Sequence, residues 1–146
     1  PGCQAAFFSM CEKDVKTVMA WERAMICTDS GVAGKNQFYH PRLRAAFPRV
    51  LGRYVREKKV TSLPEMIRKM TALPAKVYGL KEKGLLKAGY DADICVFDPE
   101  TILDRATYTE VSHRAEGLRF VIVGGVIAAE NAVSTGVLGG KVLARQ

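Results

Sequence analysis

Histidine is scarce in this chain: His40 and His113 are the only two, far apart and in no ligand spacing. A catalytic zinc takes three protein ligands, usually His, Cys or a carboxylate, so these two cannot enclose one. The four cysteines, Cys3, Cys11, Cys27 and Cys95, include no CxxC pair and lie in apolar stretches. They read as reduced, buried, structural residues. No apolar run reaches the roughly 18 residues a bilayer span requires, and the N-terminus lacks the basic and apolar segments of a secretory signal. The expected location is therefore the cytoplasm. There is no internal repeat and no low-complexity segment. The opening Pro1-Gly-Cys-Gln has no start methionine, and the expectation is that the chain begins inside a longer protein or was processed.

What is present is an ordinary globular composition: 146 residues, 48% hydrophobic and 25% charged, enough for a domain with its own core. The net charge of +7 raises the question of a nucleic-acid partner, since clustered Lys and Arg release phosphate counterions. The basic residues are instead scattered, enriched only between Arg42 and Lys59, and no nucleic-acid-binding motif accompanies them. They read as a solvated or partner-facing basic helix.

Two textures divide the sequence. Up to Leu80 it reads as helices around one short strand. Ser9 and Glu12 have capping-box spacing, which predicts a helix from near Met10 to Ala20. Ala24-Met-Ile-Cys27 is too short for a helix and too continuously apolar for a surface strand, so it reads as a strand buried on both faces. Asp29, Ser30 and Gly31 then place an acid at its carboxyl end. Residues 32–41 lack periodicity and read as a functional loop. A helix is predicted from about Pro48 to Lys58, with Val50, Leu51, Tyr54 and Val55 on one side and Arg49, Arg53 and Arg56 on another. Ser62 and Glu65 repeat the capping box ahead of Met66, Ile67 and Met70. A short helix restarts at Pro74 and ends on Gly79. After Gly84 the period becomes two: a strand around Ile94 to Phe97, closed by Asp98-Pro99, then a hairpin in which Gly124-Gly125 joins 120–123 to 126–129. About four short strands are too few for an independent sandwich, so their edges are expected to need partners.

Three stretches carry a family resemblance. Met25-Ile-Cys-Thr-Asp-Ser-Gly31, with His40-Pro-Arg-Leu43 and Phe47-Pro-Arg-Val-Leu-Gly-Arg-Tyr54, resembles the region around the last barrel strand of D-aminoacylases. Gly84-Leu-Leu-Lys-Ala-Gly-Tyr-Asp-Ala-Asp-Ile-Cys-Val-Phe-Asp98 is similar to the segment by which amidohydrolases return from the barrel to a small β-domain. The chain thus resembles the C-terminal portion of an N-acyl-D-amino-acid deacylase of the amidohydrolase superfamily. The resemblance implies an α/β plus β architecture. Residues 1–82 would supply the last strand and flanking helices of a (β/α)8 barrel, and residues 83–146 part of a small β-sandwich.

It also implies a role for Asp29. In such barrels catalytic groups lie at the carboxyl ends of strands, and in this family the aspartate stands beside zinc, as a partial metal ligand, and shuttles a proton from the attacking water to the leaving amine. Read from residues alone, Asp-Ser-Gly is also an ordinary turn. His40 is a loop histidine satisfied by backbone or a substrate contact. Arg42 offers either a planar fork for the carboxylate of an N-acyl amino acid or a structural ion pair. Tyr39 and Arg44 are weaker candidates; Asp91, Asp93 and Asp98 flank turns and receive no catalytic role. The other metal ligands would lie upstream, so the chain alone is expected to be inactive and to retain no zinc. Its uncovered apolar faces are expected to self-associate or to meet the upstream barrel segment. The alternative is a truncated, non-catalytic interaction module of the same fold.

Overall fold

Helices precede strands in a computed structural model that describes residues 7–31 and 39–143. Cys3 and most of the loop expected at 32–41 lie outside the described residues. Helix α1 (Glu12–Ala20) starts two residues later than expected, with Cys11 at the N-cap and no side-chain cap. The Ser9 capping box does not form, and the Glu12 carboxylate that would have closed it instead accepts the Tyr54 hydroxyl at 3.2 Å. At the other end of α1, the fully buried Lys69 donates from Nζ to the carbonyls of Met19 and Trp21, both at 2.6 Å. These carbonyls have no intrahelical partner, and the negative end of the helix favours a cation there.

Ala24 to Cys27 forms no strand. Strand structure is a ladder with a neighbour, and among the described residues this segment makes one such backbone bond, from the Ile26 N–H to the Lys69 carbonyl at 3.3 Å. The next helix begins six residues earlier than expected: α2 (Arg42–Arg49) runs through Pro48 and widens into a π-helix over Val50–Glu57. Pro48 has no N–H to offer the Arg44 carbonyl, a local weakness of the α ladder. Helix α3 (Leu63–Met70) has the expected cap, the Glu65 N–H donating to Ser62 Oγ at 3.4 Å. Helix α4 (Ala72–Tyr78) ends on Gly79 at φ 69°, a left-handed stop open to glycine at little cost.

Strands β1 (Ile94–Phe97), β2 (Leu118–Val123), β3 (Val126–Glu130) and β4 (Val133–Ser134) pair in chain order as one antiparallel sheet. Gly124 and Gly125, at φ 58° and 83°, turn the hairpin that sets Val123 against Val126. The three described cysteines are free but not buried as expected. Each stands on a segment with an open side: the start of α1, the unladdered 24–27 stretch, and the edge strand β1.

The two textures share a core. Met19, Val50, Leu51, Tyr54 and Met66 from the helical part enclose Ile102 from the segment after β1, and Ile102 is 2% exposed. The Ile102 carbonyl lies against Gly52, where an added Cβ would come within 2.4 Å of its oxygen. Arg56 donates to the carbonyls of Pro99 and Ile102 at 3.1 and 2.8 Å, and Arg49 pairs with the nearly buried Asp104 at 3.0 Å. The basic helix is therefore not wholly a solvated face: Arg42, Arg44, Lys58 and Lys59 are exposed, but Arg49 and Arg56 grip the segment from 99 to 104. Gly52→Ala should force this seam apart and destabilise the chain by roughly 1–3 kcal/mol, the usual cost of overpacking; a denaturation midpoint unchanged from that of the parent chain would show the seam to be slack.

Candidate active site

Asp29 lies beyond the unladdered segment, in neither helix nor strand, with φ 46°. That left-handed conformation is one Asp adopts more readily than most residues with a side chain. Its carboxylate Oδ2 meets Arg42 Nη2 at 3.1 Å, with the Asp29 side chain 80% and the Arg42 side chain 44% exposed. Both groups remain open to a ligand, and an exposed pair of this kind adds little stability.

Arg42 is held there by its own helix start. His40 Nδ1 accepts the Arg42 backbone N–H at 3.1 Å, satisfying one of the N–H groups that have no partner in a helix's first turn. An accepting Nδ1 carries no proton, so the imidazole proton sits on Nε2 and points to Tyr108 Oη, 3.0 Å away. The Tyr108 ring stands edge-on to His40 and to Phe8, at centroid distances of 5.0 and 5.3 Å. These residues, with Ala45, Ala46 and Arg49 from α2 and Asp104 and Thr107 opposite, line a cleft of about 360 Å³. A larger, mainly apolar hollow of about 450 Å³ between α3, α4 and β1 is also lined by Arg68, Lys83, Asp91, Asp93 and Cys95, but Lys83 is paired with the two aspartates and Arg68 with Glu65.

The structure thus brings together the three residues singled out in the sequence, Asp29, His40 and Arg42, and adds Tyr108. Nothing local could have revealed Tyr108, which contacts His40 across 68 residues of chain. Arg44 and Tyr39 stack on each other, the guanidinium 6.0 Å from the ring centre. Asp91 and Asp93 both bind Lys83, whose hydrogen bond holds each carboxyl below its usual range; Asp93 also accepts the Gly124 N–H at 2.8 Å. Asp98 caps its turn by accepting the Glu100 N–H at 2.9 Å. Among the described residues, no three His, Cys, Asp or Glu side chains gather in a way that could hold a metal ion. The donor set of the described residues does not fit a complete zinc site.

Comparison with known proteins places the chain in a class. Residues 28–129 match the amidohydrolase family, and the chain belongs to it. It is 41% identical over 141 residues to the D-aminoacylase of Alcaligenes xylosoxydans xylosoxydans, a match covering 97% of this chain and 29% of the relative. It is also 41% identical over 121 residues to the N-acyl-D-glutamate deacylase of the same organism, covering 83% and 24%. A D-aminoacylase crystal structure superposes with a TM-score of 0.89 at 40% identity, over 95% of this chain and 29% of that one. The N-acyl-D-glutamate deacylase of Bordetella bronchiseptica, solved with zinc and a phosphonate mimic of the tetrahedral intermediate, superposes at 0.78 and 40% identity, over 85% and 27%. The chain spans less than a third of the length of these relatives.

Burial in the cleft and the nearby Arg42 charge lower the His40 pKa below 6.5, while Asp29 pulls it upward. A lowered histidine pKa means that folding favours the neutral ring. Its contribution to stability is complete above pH 6.5 and is lost as the pH falls through the lowered value. NMR titration should give His40 a midpoint below 6.5, moving lower still in Asp29→Asn; a midpoint at or above 6.5 would contradict the hydrogen-bonding arrangement.

Proposed function

We propose that this chain is the C-terminal part of a cytoplasmic, zinc-dependent deacylase that hydrolyses N-acyl-D-amino acids to a carboxylate and a free D-amino acid. In the whole protein, residues 1–82 would close a (β/α)8 barrel and residues 83–146 would complete a small β-sandwich. The observation that carries this reading is the open Asp29–Arg42 pair, whose arginine lines the cleft, in a chain two-fifths identical to D-aminoacylase.

An amide resists water at neutral pH. A bound zinc lowers the pKa of a water molecule toward 7; the ligands that these residues lack would come from the part of the relatives' length that this chain does not span. The chain's own residues supply the other two needs. Asp29, exposed and paired with Arg42, can accept the proton of the attacking water on a carboxylate oxygen and return it to the departing amine, so that nitrogen leaves as a neutral amine. Arg42 presents a planar fork that matches the substrate carboxylate bidentately and so fixes the scissile amide relative to Asp29. On substrate binding the guanidinium would be shared between the two carboxylates. The isolated chain is expected to retain no stoichiometric zinc, and the apolar side chains it leaves open, Trp21 and Met25 among them, to meet the upstream barrel segment or a second copy.

In the full-length protein, Asp29→Asn keeps the shape and removes the proton acceptor. Turnover should fall on the order of 10²- to 10⁴-fold with the melting temperature nearly unchanged; turnover near that of the parent would mean that another group moves the proton.

A further inference from the structure

We propose that Tyr108 is a positioning residue: acting through His40, it fixes the first turn of α2 and with it the place of the Arg42 guanidinium beside Asp29. The inference rests on the reading of Arg42 as the clamp for the substrate carboxylate, and goes beyond it by assigning the group that aims the clamp.

Three consecutive contacts carry it. Tyr108 Oη lies 3.0 Å from His40 Nε2, His40 Nδ1 accepts the Arg42 N–H at 3.1 Å, and Arg42 Nη2 reaches Asp29 Oδ2 at 3.1 Å. Each link constrains the next. The helix start has no other side-chain cap, because Pro41 occupies the N-cap position and its side chain carries no acceptor. Only the Nε2–H tautomer leaves Nδ1 free to accept, and the hydroxyl of Tyr108 is the group that rewards this tautomer. Tyr108 is itself set from two sides: its ring meets Phe8 and His40 edge-on, and its segment is tied to the helical part by Asp104, whose buried carboxylate binds Arg49. A tyrosine held by these contacts can therefore act on an arginine that it does not touch.

The arrangement also explains why Tyr108 stands on a connection rather than on the sheet. The segment from 99 to 108 leaves β1, locks Ile102 into the shared core and then delivers Tyr108 to the cleft. The β-part thereby contributes to a site whose other members all precede residue 50.

The test is Tyr108→Phe in the full-length protein, which keeps the ring and its edge contacts and removes only the hydroxyl. Loss of one such hydrogen bond should raise KM for an N-acyl-D-amino acid roughly 3- to 10-fold and leave kcat within about twofold, as expected for a ground-state positioning effect. KM for the corresponding carboxamide, which lacks the charge that Arg42 would hold, should not change. In the 146-residue chain, the His40 ring nitrogens should shift in the NMR spectrum toward a mixture of tautomers. Equal effects on acid and carboxamide, or a KM for the acid unchanged from the parent, would overturn the proposal. Arg42→Met separates the two levels: if it raises KM for the acid and Tyr108→Phe does not, the clamp stands and the positioning role of Tyr108 falls; if neither raises it, the clamp is wrong and the positioning role falls with it.

Discussion

Everything in the site depends on one close approach, the seat of Ile102 on Gly52. Without a side chain at position 52 the carbonyl of Ile102 comes to the helix surface, and the Ile102 side chain closes a core drawn from α1, the π-helix and α3. Arg56 and Arg49 secure the same segment by binding its carbonyls and Asp104. Hydrogen bonds from a charged donor to buried carbonyl and carboxylate oxygens are among the stronger ones in proteins. They fix the register of the connection that ends at Tyr108, and the cleft follows from that register.

The balance of forces differs between this seam and the site. The seam is buried, apolar at its centre and ionic at its rim, and serves stability. The Asp29–Arg42 pair is exposed, with one residue in a left-handed conformation, and contributes little to stability. In the proposed function this open pair serves a carboxylate substrate and a proton transfer, and the fold's cohesion comes from elsewhere.

Sequence alone made local features legible. The Ser62–Glu65 cap, the Gly79 stop, β1 and the Gly124-Gly125 hairpin are each specified by residues within a few positions of one another. Features that need a distant partner were not. Ala24 to Cys27 is apolar enough for a buried strand, but a strand exists only with a ladder, and the described residues offer none. Ser9 and Glu12 have the right spacing, yet Tyr54, 42 residues on, takes the Glu12 carboxylate. Arg49 and Arg56 looked like a surface stripe because Asp104 and the carbonyls they bind lie 43 to 55 residues away. Neither the burial of Lys69 nor the contact of the partly exposed Tyr108 with His40 has any local signal. Asp29, His40 and Arg42 were found because they follow one another closely along the chain and match a family motif, while their mutual geometry came from the fold.

The central claim is that Asp29 and Arg42 divide one task, Asp29 handling the proton and Arg42 the substrate carboxylate. A crystal structure of the full-length protein with zinc and a non-hydrolysable N-acyl-D-amino acid analogue tests it most directly. The account predicts the Arg42 guanidinium in bidentate contact with the ligand carboxylate and an Asp29 carboxylate oxygen within hydrogen-bonding distance of the position of the attacking water. A ligand carboxylate bound by other residues, with Asp29 turned to bulk solvent, would contradict it.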